Sequence, residues 1–314
     1  MVRGATNQAR PNAAPVATRF PTVVDVPRLP KTPERLSPGS RRLDVLHDGF
    51  LRQAENHFAN NVLLDLRRSG VDGSGASVEE ITNLKAGTLD ESALRKVAPV
   101  LGLGTNALLA LARGTYSPAT VPDLPGLAHF NSVFDDMTVN SFLVWDPSTK
   151  EAAIFDTGAD GQPMLDFAAS HGLKVTQIFI THIHTDHVVD LDRLVSKTGA
   201  HAWVCDREPI AGAEAFAVGR GFQIGGLSVE TRLTSGHAAG GVTYFIKGLS
   251  QPVAIVGDSM FAGSMGGGMV SYADALRNNR EQVLTLPDAT IVCSGHGPLT
   301  TVGEQKHANP FFAA

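Results

Sequence analysis

The sequence is poor in cysteine, in aromatic residues and in long apolar runs. Its 314 residues include 2 Cys, and aromatic residues make up 6%. Cys205 and Cys293 are too few for a disulfide scaffold or a cysteine-rich zinc module, and they favour a reducing, cytoplasmic location. The low aromatic content disfavours a platform on which nucleic-acid bases stack. Apolar runs such as 107–112 are far shorter than the ~18 residues that span a bilayer, so we expect no membrane segment.

Positive charge is also scarce. The formal net charge is −5 and the sequence pI is near 6.1. This balance predicts no general attraction to nucleic acid or to anionic membranes. We therefore expect a small-molecule partner, with homo-oligomerisation left open.

Composition divides the chain into three parts. Residues 1–40 are rich in Pro and Ala, which predicts a disordered tail. Residues 41–118 show helical spacing of apolar residues, with Ser77 and Asp90 as N-caps, and predict a small helical segment. Part of this segment faintly resembles a helix-turn-helix, but its 9 Lys and Arg are balanced by 9 Asp and Glu. A DNA-reading module should be locally basic, so nucleic acid is disfavoured as a partner.

The pattern changes after the Pro-rich stretch 117–126. Paired strands, then alternating strands and helices, then further strands predict an α/β domain with layered sheets over 125–314. Within it, the Gly-rich stretch 263–269 lacks the Lys-Ser/Thr of a phosphate-binding loop, and we interpret it as a flexible loop at the mouth of a site.

A cluster of metal-ligand residue types follows one apolar strand. The sequence THIHTDHVVD, 181–190, holds His182, His184, Asp186 and His187 within six residues. Neutral imidazoles and carboxylates are ligands suited to Zn, Fe and Mn. A tight loop at the end of a buried strand can direct all four side chains toward one point, where α/β proteins commonly place their sites.

Three further residues extend this set. Each follows a Gly: His237 in TSGHAAGG, Asp258 in VGDSMF and His296 in SGHGP. Asp258 and His296 also come directly after apolar strands. Together the four motifs supply five His and two Asp, enough ligands for two metal ions.

The order of these motifs, His-x-His-x-Asp-His, Gly-His, Gly-Asp and Gly-His-Gly-Pro, resembles the metallo-β-lactamase-fold hydrolases. Within them it is similar to the glyoxalase II-like, or hydroxyacylglutathione hydrolase-like, branch. The resemblance covers about residues 125–314 and implies an αββα sandwich, here preceded by the small helical segment.

The resemblance also implies roles for the seven residues. His182, His184 and His237 would bind a first metal; Asp186, His187 and His296 would bind a second; Asp258 would bridge both. Asp186 and Asp258 are then the catalytic carboxylates. The implied cofactors are two divalent metal ions, with Zn preferred and Fe or Mn as alternatives. The implied activity is hydrolysis of a thioester or related ester through a metal-bridging hydroxide.

Three alternatives remain open at this point. A persulfide dioxygenase-like oxidoreductase would use one iron held by His182, His237 and Asp258. A lactonase and a ligand-sensing DNA-binding regulator are the others. The sequence ends soon after NPFF, where hydroxyacylglutathione hydrolases carry a helical domain that helps hold glutathione. The resemblance therefore supports metal chemistry but not recognition of glutathione.

Overall fold

The computed structural model describes residues 73–86 and 88–313, apart from the side chain of Lys85. The predicted disordered tail over 1–40, and the first part of the predicted helical segment, lie outside the described residues. All described residues fall within one compact unit, Arg42–Ala314.

Three short helices begin the described chain: α1 (Val78–Lys85), α2 (Glu91–Val100) and α3 (Thr105–Ala112). The Ser77 hydroxyl accepts from the backbone N–H of Glu80, and the Asp90 carboxylate accepts from that of Ala93. Both caps therefore lie where the sequence predicts them. Such caps satisfy N–H groups that have no partner in the first turn.

Two six-stranded sheets form the centre of the fold. The first has the order β1-β2-β3-β4-β5-β6, and the second has the order β12-β11-β10-β9-β8-β7. The strands of the first sheet are β1 (Leu127–Phe134), β2 (Met137–Trp145), β3 (Glu151–Phe155), β4 (Lys174–Phe179), β5 (His201–Cys205) and β6 (Glu214–Phe216). Those of the second are β7 (Gly221–Ile224), β8 (Leu227–Leu233), β9 (Val242–Lys247), β10 (Val253–Gly257), β11 (Ile291–Ser294) and β12 (Thr300–Thr301). Strands β3 to β6 pair in parallel, as do β10 and β11.

Five helices and one π-helical turn follow in the later part of the chain. The helices are α4 (Gln162–Ser170), α5 (Thr185–Val188), α6 (Leu191–Thr198), α7 (Tyr272–Asn278) and α8 (Val302–Ala308), and the π-helical turn is Asn279–Val283. The sequence pattern predicts one helix over 188–198. The structure has two helices instead, because α5 ends at Val188 and α6 begins at Leu191. The turn that carries the histidine cluster ends before α6 begins.

Apolar residues fill three layers between and outside the sheets. Phe155 and Phe179 of the first sheet pack with Tyr244 of the second in the central core. Met164 of α4 and Leu194 of α6 cover the outer face of the first sheet. Val283 and Val302 belong to the cluster on the outer face of the second sheet. The order helix, sheet, sheet, helix confirms the predicted αββα sandwich.

Strand ends bring the site together. The parallel strands β3 and β4 end at the same edge, so Asp156 and the histidine cluster meet there. Strands β10 and β11 likewise place Asp258 and His296 side by side at the corresponding edge of the second sheet. Side chains that directly follow the carboxyl ends of strands commonly line the binding sites of α/β proteins.

The described residues contain no helix long and apolar enough to cross a membrane.

Candidate metal centre

All seven predicted ligand residues lie at one place between the two sheet edges. Two sets made up only of predicted residues bring their ligand atoms within 4.8 Å of one another there, and a third set, Asp156 with His182 and His187, shares one histidine with each. The first set is His182, His184, His237 and Asp258; the second is Asp186, His187 and His296.

The first set is built around the Nδ1 atom of His184. That atom lies 3.1 Å from Nε2 of His182 and 3.0 Å from Nε2 of His237. The Oδ2 atom of Asp258 lies 3.5 Å from the same nitrogen of His237. Three imidazole nitrogens and one carboxylate oxygen thus face a common point.

The second set surrounds Oδ2 of Asp186. Nε2 of His187 lies 3.4 Å from it, and Nε2 of His296 lies 3.3 Å from it. Asp258 also touches this set, because its Oδ1 is 3.4 Å from Nε2 of His187 and its Oδ2 is 3.4 Å from Nε2 of His296. The carboxylate of Asp258 therefore contacts histidines of both sets.

Hydrogen bonds on the far side of each ring orient the histidines. Nδ1 of His237 faces the Gly267 carbonyl at 2.9 Å, and Nδ1 of His296 faces the Thr138 carbonyl at 2.7 Å. A carbonyl oxygen only accepts, so both Nδ1 atoms must donate. In a neutral imidazole the other nitrogen then carries the lone pair that a metal ion needs.

Asp156 is the functional residue that the sequence analysis missed. Its Oδ2 accepts from Nδ1 of His187 over 2.8 Å, and its two oxygens accept from the backbone N–H and the hydroxyl of Thr181, both at 2.7 Å. The Thr181 hydroxyl is in turn 3.0 Å from Nδ1 of His182. One carboxylate thus orients a histidine in each set. The available signal was an acid directly after the apolar strand β3 and two residues before Gly158.

Two glycines make room for the ligands. A Cβ on Gly295 would lie 2.1 Å from Oδ1 of Asp258, and one on Gly266 would lie 1.8 Å from the Asp258 backbone carbonyl. Cβ atoms do not approach other atoms this closely, so only glycine fits at either position.

The pKa values of histidines shift in opposite directions in the two sets. Burial, with a contribution from His187, lowers the pKa of His182 well below its ordinary value. Burial also lowers the pKa of His184. Burial acts in the same direction on His187, but the carboxylates of Asp156 and Asp258 outweigh it and raise its pKa to about 10.

The carboxylates of Asp258 and Asp186 favour protonation of the neighbouring imidazoles of the second set. Burial acts to lower the pKa of His296, but Asp258 and Asp186 raise it to about 11. Burial acts to raise the pKa of Asp258, but His296 and His187 hold it well below its ordinary value. The second set is thus a place where positive charge is favoured, and a bound cation would replace these protons.

Two buried atoms supply a direct test of whether a metal ion fits. Nε2 of His187 and Oδ1 of Asp258 are buried and have no hydrogen-bond partner. Leaving such atoms unsatisfied costs free energy, about 1–3 kcal/mol each and more for charged groups. A divalent cation between them would satisfy both. The residues present therefore fit metal ions, and the His/Asp donor set is of the kind that transition metals use.

Two further histidines and both cysteines lie outside these two sets. His129 stacks on Phe142 at 5.1 Å between ring centroids, and exposed His201 pairs with Glu214. Cys205 and Cys293 are buried and unpaired, as expected for small apolar residues.

Comparison with known proteins agrees with this geometry. The model of the metallo-beta-lactamase superfamily matches residues 134–296, a little over half of the chain. The chain is 31% identical over 190 residues to the probable metallo-hydrolase YqgX of Bacillus subtilis, covering 52% of this chain and 88% of that protein. It is 27% identical over 197 residues to the hydroxyacylglutathione hydrolase GloC of Haemophilus influenzae, covering 55% and 92%.

A solved structure shows the same similarity. The crystal structure of the BLEG-1 B3 metallo-beta-lactamase matches with a TM-score of 0.53 and 26% identity, over 60% of this chain and 100% of that one. Fold, motif order, site geometry and family model agree, and the chain belongs to the metallo-beta-lactamase superfamily.

Proposed function

We propose that this protein is a binuclear metal-dependent hydrolase that cleaves a thioester or a related carboxylic ester. The observation that carries the proposal is that Asp258, a member of the first set, also contacts two histidines of the second set. A single carboxylate in contact with histidines of both sets is the arrangement that two neighbouring cations require, because an anion between them screens their repulsion.

The seven side chains then divide as follows. His182, His184 and His237 would hold the first ion, Asp186, His187 and His296 would hold the second, and Asp258 would contact both. When bound, two divalent ions make hydroxide available near neutral pH and polarise the carbonyl oxygen of the substrate.

The residues of the chain supply orientation and charge. Asp156, Thr138 and Gly267 fix the ring orientation of three histidines through the hydrogen bonds described above. Asp186 and Asp258 add negative charge that offsets the charge of the ions. Because a thiolate leaves without protonation, a thioester needs no separate general acid, and none of the motifs provides one.

Two sets of ligands favour hydrolysis over the mono-iron alternative. A persulfide dioxygenase-like reaction would need only His182, His237 and Asp258. It would leave His184 and the whole second set, Asp186, His187 and His296, without a role, although the ligand atoms of that second set also lie within 4.8 Å of one another. A lactonase would use the same site, so only the choice of substrate separates it from a thioesterase.

The glyoxalase II-like substrate class is supported by the similarity to GloC, a hydroxyacylglutathione hydrolase. The similarity to a B3 metallo-beta-lactamase makes β-lactams the necessary comparison. We expect Zn to be the resident metal, with Fe and Mn as the alternatives to be tested.

The test is a metal analysis followed by a hydrolysis screen of the full chain. We expect two ions per chain and faster hydrolysis of S-lactoylglutathione or a simple acyl thioester than of lactones or β-lactams. One iron per chain together with oxygen consumption on a persulfide would replace the proposal by the dioxygenase. Two ions with lactone but no thioester hydrolysis would replace it by the lactonase.

A further inference from the structure

The Gly-rich loop 263–270 packs against the N-terminal helices on one side and against the metal site on the other. At one end, Met265 is fully buried in an apolar cluster with Val97 of α2 and Leu108 of α3. The neighbouring Gly263 lies so close to this region that a Cβ there would be 3.1 Å from Leu111 of α3. The loop therefore packs against the helices through the side chain of Met265.

One residue further, the same loop touches the ligands. A Cβ on Gly266 would be 2.9 Å from Nδ1 of His237. The Gly267 carbonyl accepts the hydrogen bond from this nitrogen at 2.9 Å. The group that orients the His237 ring is thus two residues from the side chain that the helices hold.

A second contact joins His237 to the same cluster. Gly236 precedes His237, and a Cβ on it would be 2.3 Å from the backbone nitrogen of Ala275. Ala275, in α7, is 3% exposed and belongs to the cluster of Met265. The Gly236 carbonyl also accepts from the N–H groups of Val270 and Ser271, both at 3.0 Å. The loop, Gly236 and α7 thus form one packed unit behind His237.

The hydrogen bonds that orient two histidines of the second set come from outside the loop. His296 is oriented by the carbonyl of Thr138 in β2, and His187 by Asp156 at the end of β3. Thr138 lies in a strand of the first sheet, and Asp156 directly follows another strand of that sheet. The loop, in contrast, contains three consecutive glycines, which lose much conformational entropy when they are ordered. The loop is therefore ordered by the residues against which it packs.

We propose that the N-terminal helices α2 and α3 act as a positioning element for His237. Through Met265 they hold the loop so that the Gly267 carbonyl orients the His237 ring toward the first ion. This inference rests on the proposed function, in which His237 is a metal ligand. It assigns to the helices a role in the first metal site and none in the second.

The test compares Met265→Ala with Met164→Ala in the full chain. Both methionines are 0% exposed, but Met164 lies in α4 on the opposite side of the sandwich. Zn²⁺ affinity is measured in two backgrounds. His296→Ala leaves only the first set complete, and His184→Ala leaves only the second set complete.

We expect Met265→Ala to weaken Zn²⁺ binding by about tenfold or more in the His296→Ala background, as loss of a group that orients a ligand does. In the His184→Ala background the affinity should change less than about twofold, within the context dependence of such effects. Met164→Ala should change neither affinity, and Met265→Leu, which conserves volume, should restore the first site. Met265→Val provides an intermediate truncation should the alanine variant not fold.

Backbone hydrogen exchange provides a readout that does not depend on metal. Amides of 266–270 should exchange faster in Met265→Ala than in Met164→Ala, both without metal. Equal Zn²⁺ affinity for Met265→Ala and Met164→Ala in the His296→Ala background would overturn the inference, as would equal weakening in both backgrounds. A parent chain that binds fewer than two ions would instead contradict the proposed function, and the exchange comparison would still decide whether the helices order the loop.

Discussion

His187 lies between two carboxylates, with Nδ1 at 2.8 Å from Oδ2 of Asp156 and Nε2 at 3.4 Å from Oδ1 of Asp258. Its side chain is 0% exposed, so neither contact is screened by bulk water. The first contact fixes the ring, and the second directs it to the point where the two ligand sets meet. The proposed metal chemistry depends on this pair of contacts, and four predictions follow from it and from its neighbours.

Asp156→Asn should weaken the second metal site without disturbing the backbone. Asp156 has a positive φ of 55°, a conformation that Asn tolerates well. The substitution removes the negative charge that helps His187 act as a ligand, so we expect a loss of about 10–100-fold in Zn²⁺ affinity. Metal titration in the His184→Ala background measures it.

The control for this variant is Asp146→Asn. Asp146 is also buried, at 6% exposed, and accepts from the N–H groups of Gly226 and Ser148 in a turn remote from the ligands. Both variants should lose some stability, but only Asp156→Asn should lose metal. Unchanged affinity in Asp156→Asn would show that the His187 ring is held by packing alone.

Asp258→Asn should reduce the occupancy of both metal sites. It keeps the size of the side chain but removes the charge that screens the two cations. His296→Ala removes one ligand of one ion and should mainly empty the second site, with a smaller loss of activity. Elemental analysis and the rate on the best thioester compare the two variants. Two bound ions with near-normal turnover in Asp258→Asn would contradict the bridging role.

Gly295→Ala should lower activity strongly while the fold persists. The added methyl group would lie 2.1 Å from Oδ1 of Asp258 and 2.6 Å from Cε1 of His187, so both ligands must move. Displacements of this size cost on the order of 100-fold in rate. Turnover and metal content are the measurements.

Gly221→Ala is the matched control, because the nearest atom to its added Cβ is the Val229 carbonyl oxygen at an ordinary 3.8 Å. It should keep full metal content and turnover. Normal turnover in Gly295→Ala would mean that the close approach of loop and ligands is not needed for catalysis.

Removal of metal should lower the melting temperature. Ions that bind only the folded chain stabilise it by about 2.7 kcal/mol at one hundred times the dissociation constant. Dialysis against a chelator should therefore lower Tm, and Zn²⁺ should restore it, whereas Mg²⁺, which prefers oxygen ligands, should not.

The control for metal removal is His182→Ala, measured with and without Zn²⁺ by scanning calorimetry. Its Tm should rise less on addition of Zn²⁺ than that of the parent chain. A parent chain whose Tm is the same with chelator and with Zn²⁺ would argue against metal binding at these residues.

Local signals in the sequence were sufficient to single out the candidate ligands and several elements. The histidine cluster, the Gly-His and Gly-Asp motifs and the caps at Ser77 and Asp90 are each contained within a few consecutive residues. Their meaning depends on spacing and on the preceding apolar strand, both of which can be read directly. Strand β1 escaped prediction because His129, Asn131 and Ser132 interrupt its apolar pattern in an edge strand.

What the sequence by itself determined is thus an α/β domain with layered sheets and a set of seven candidate ligands, whereas the αββα arrangement followed from the family resemblance. Only the tertiary structure decided how they are supported. Asp156 reaches His187 across 31 positions, and the Thr138 carbonyl reaches His296 across 158. The packing of Met265 against α2 and α3 likewise joins distant parts of the chain. Contacts of this kind leave no periodicity and no motif in the sequence. They depend on which strand ends and loops the two sheets bring to one edge.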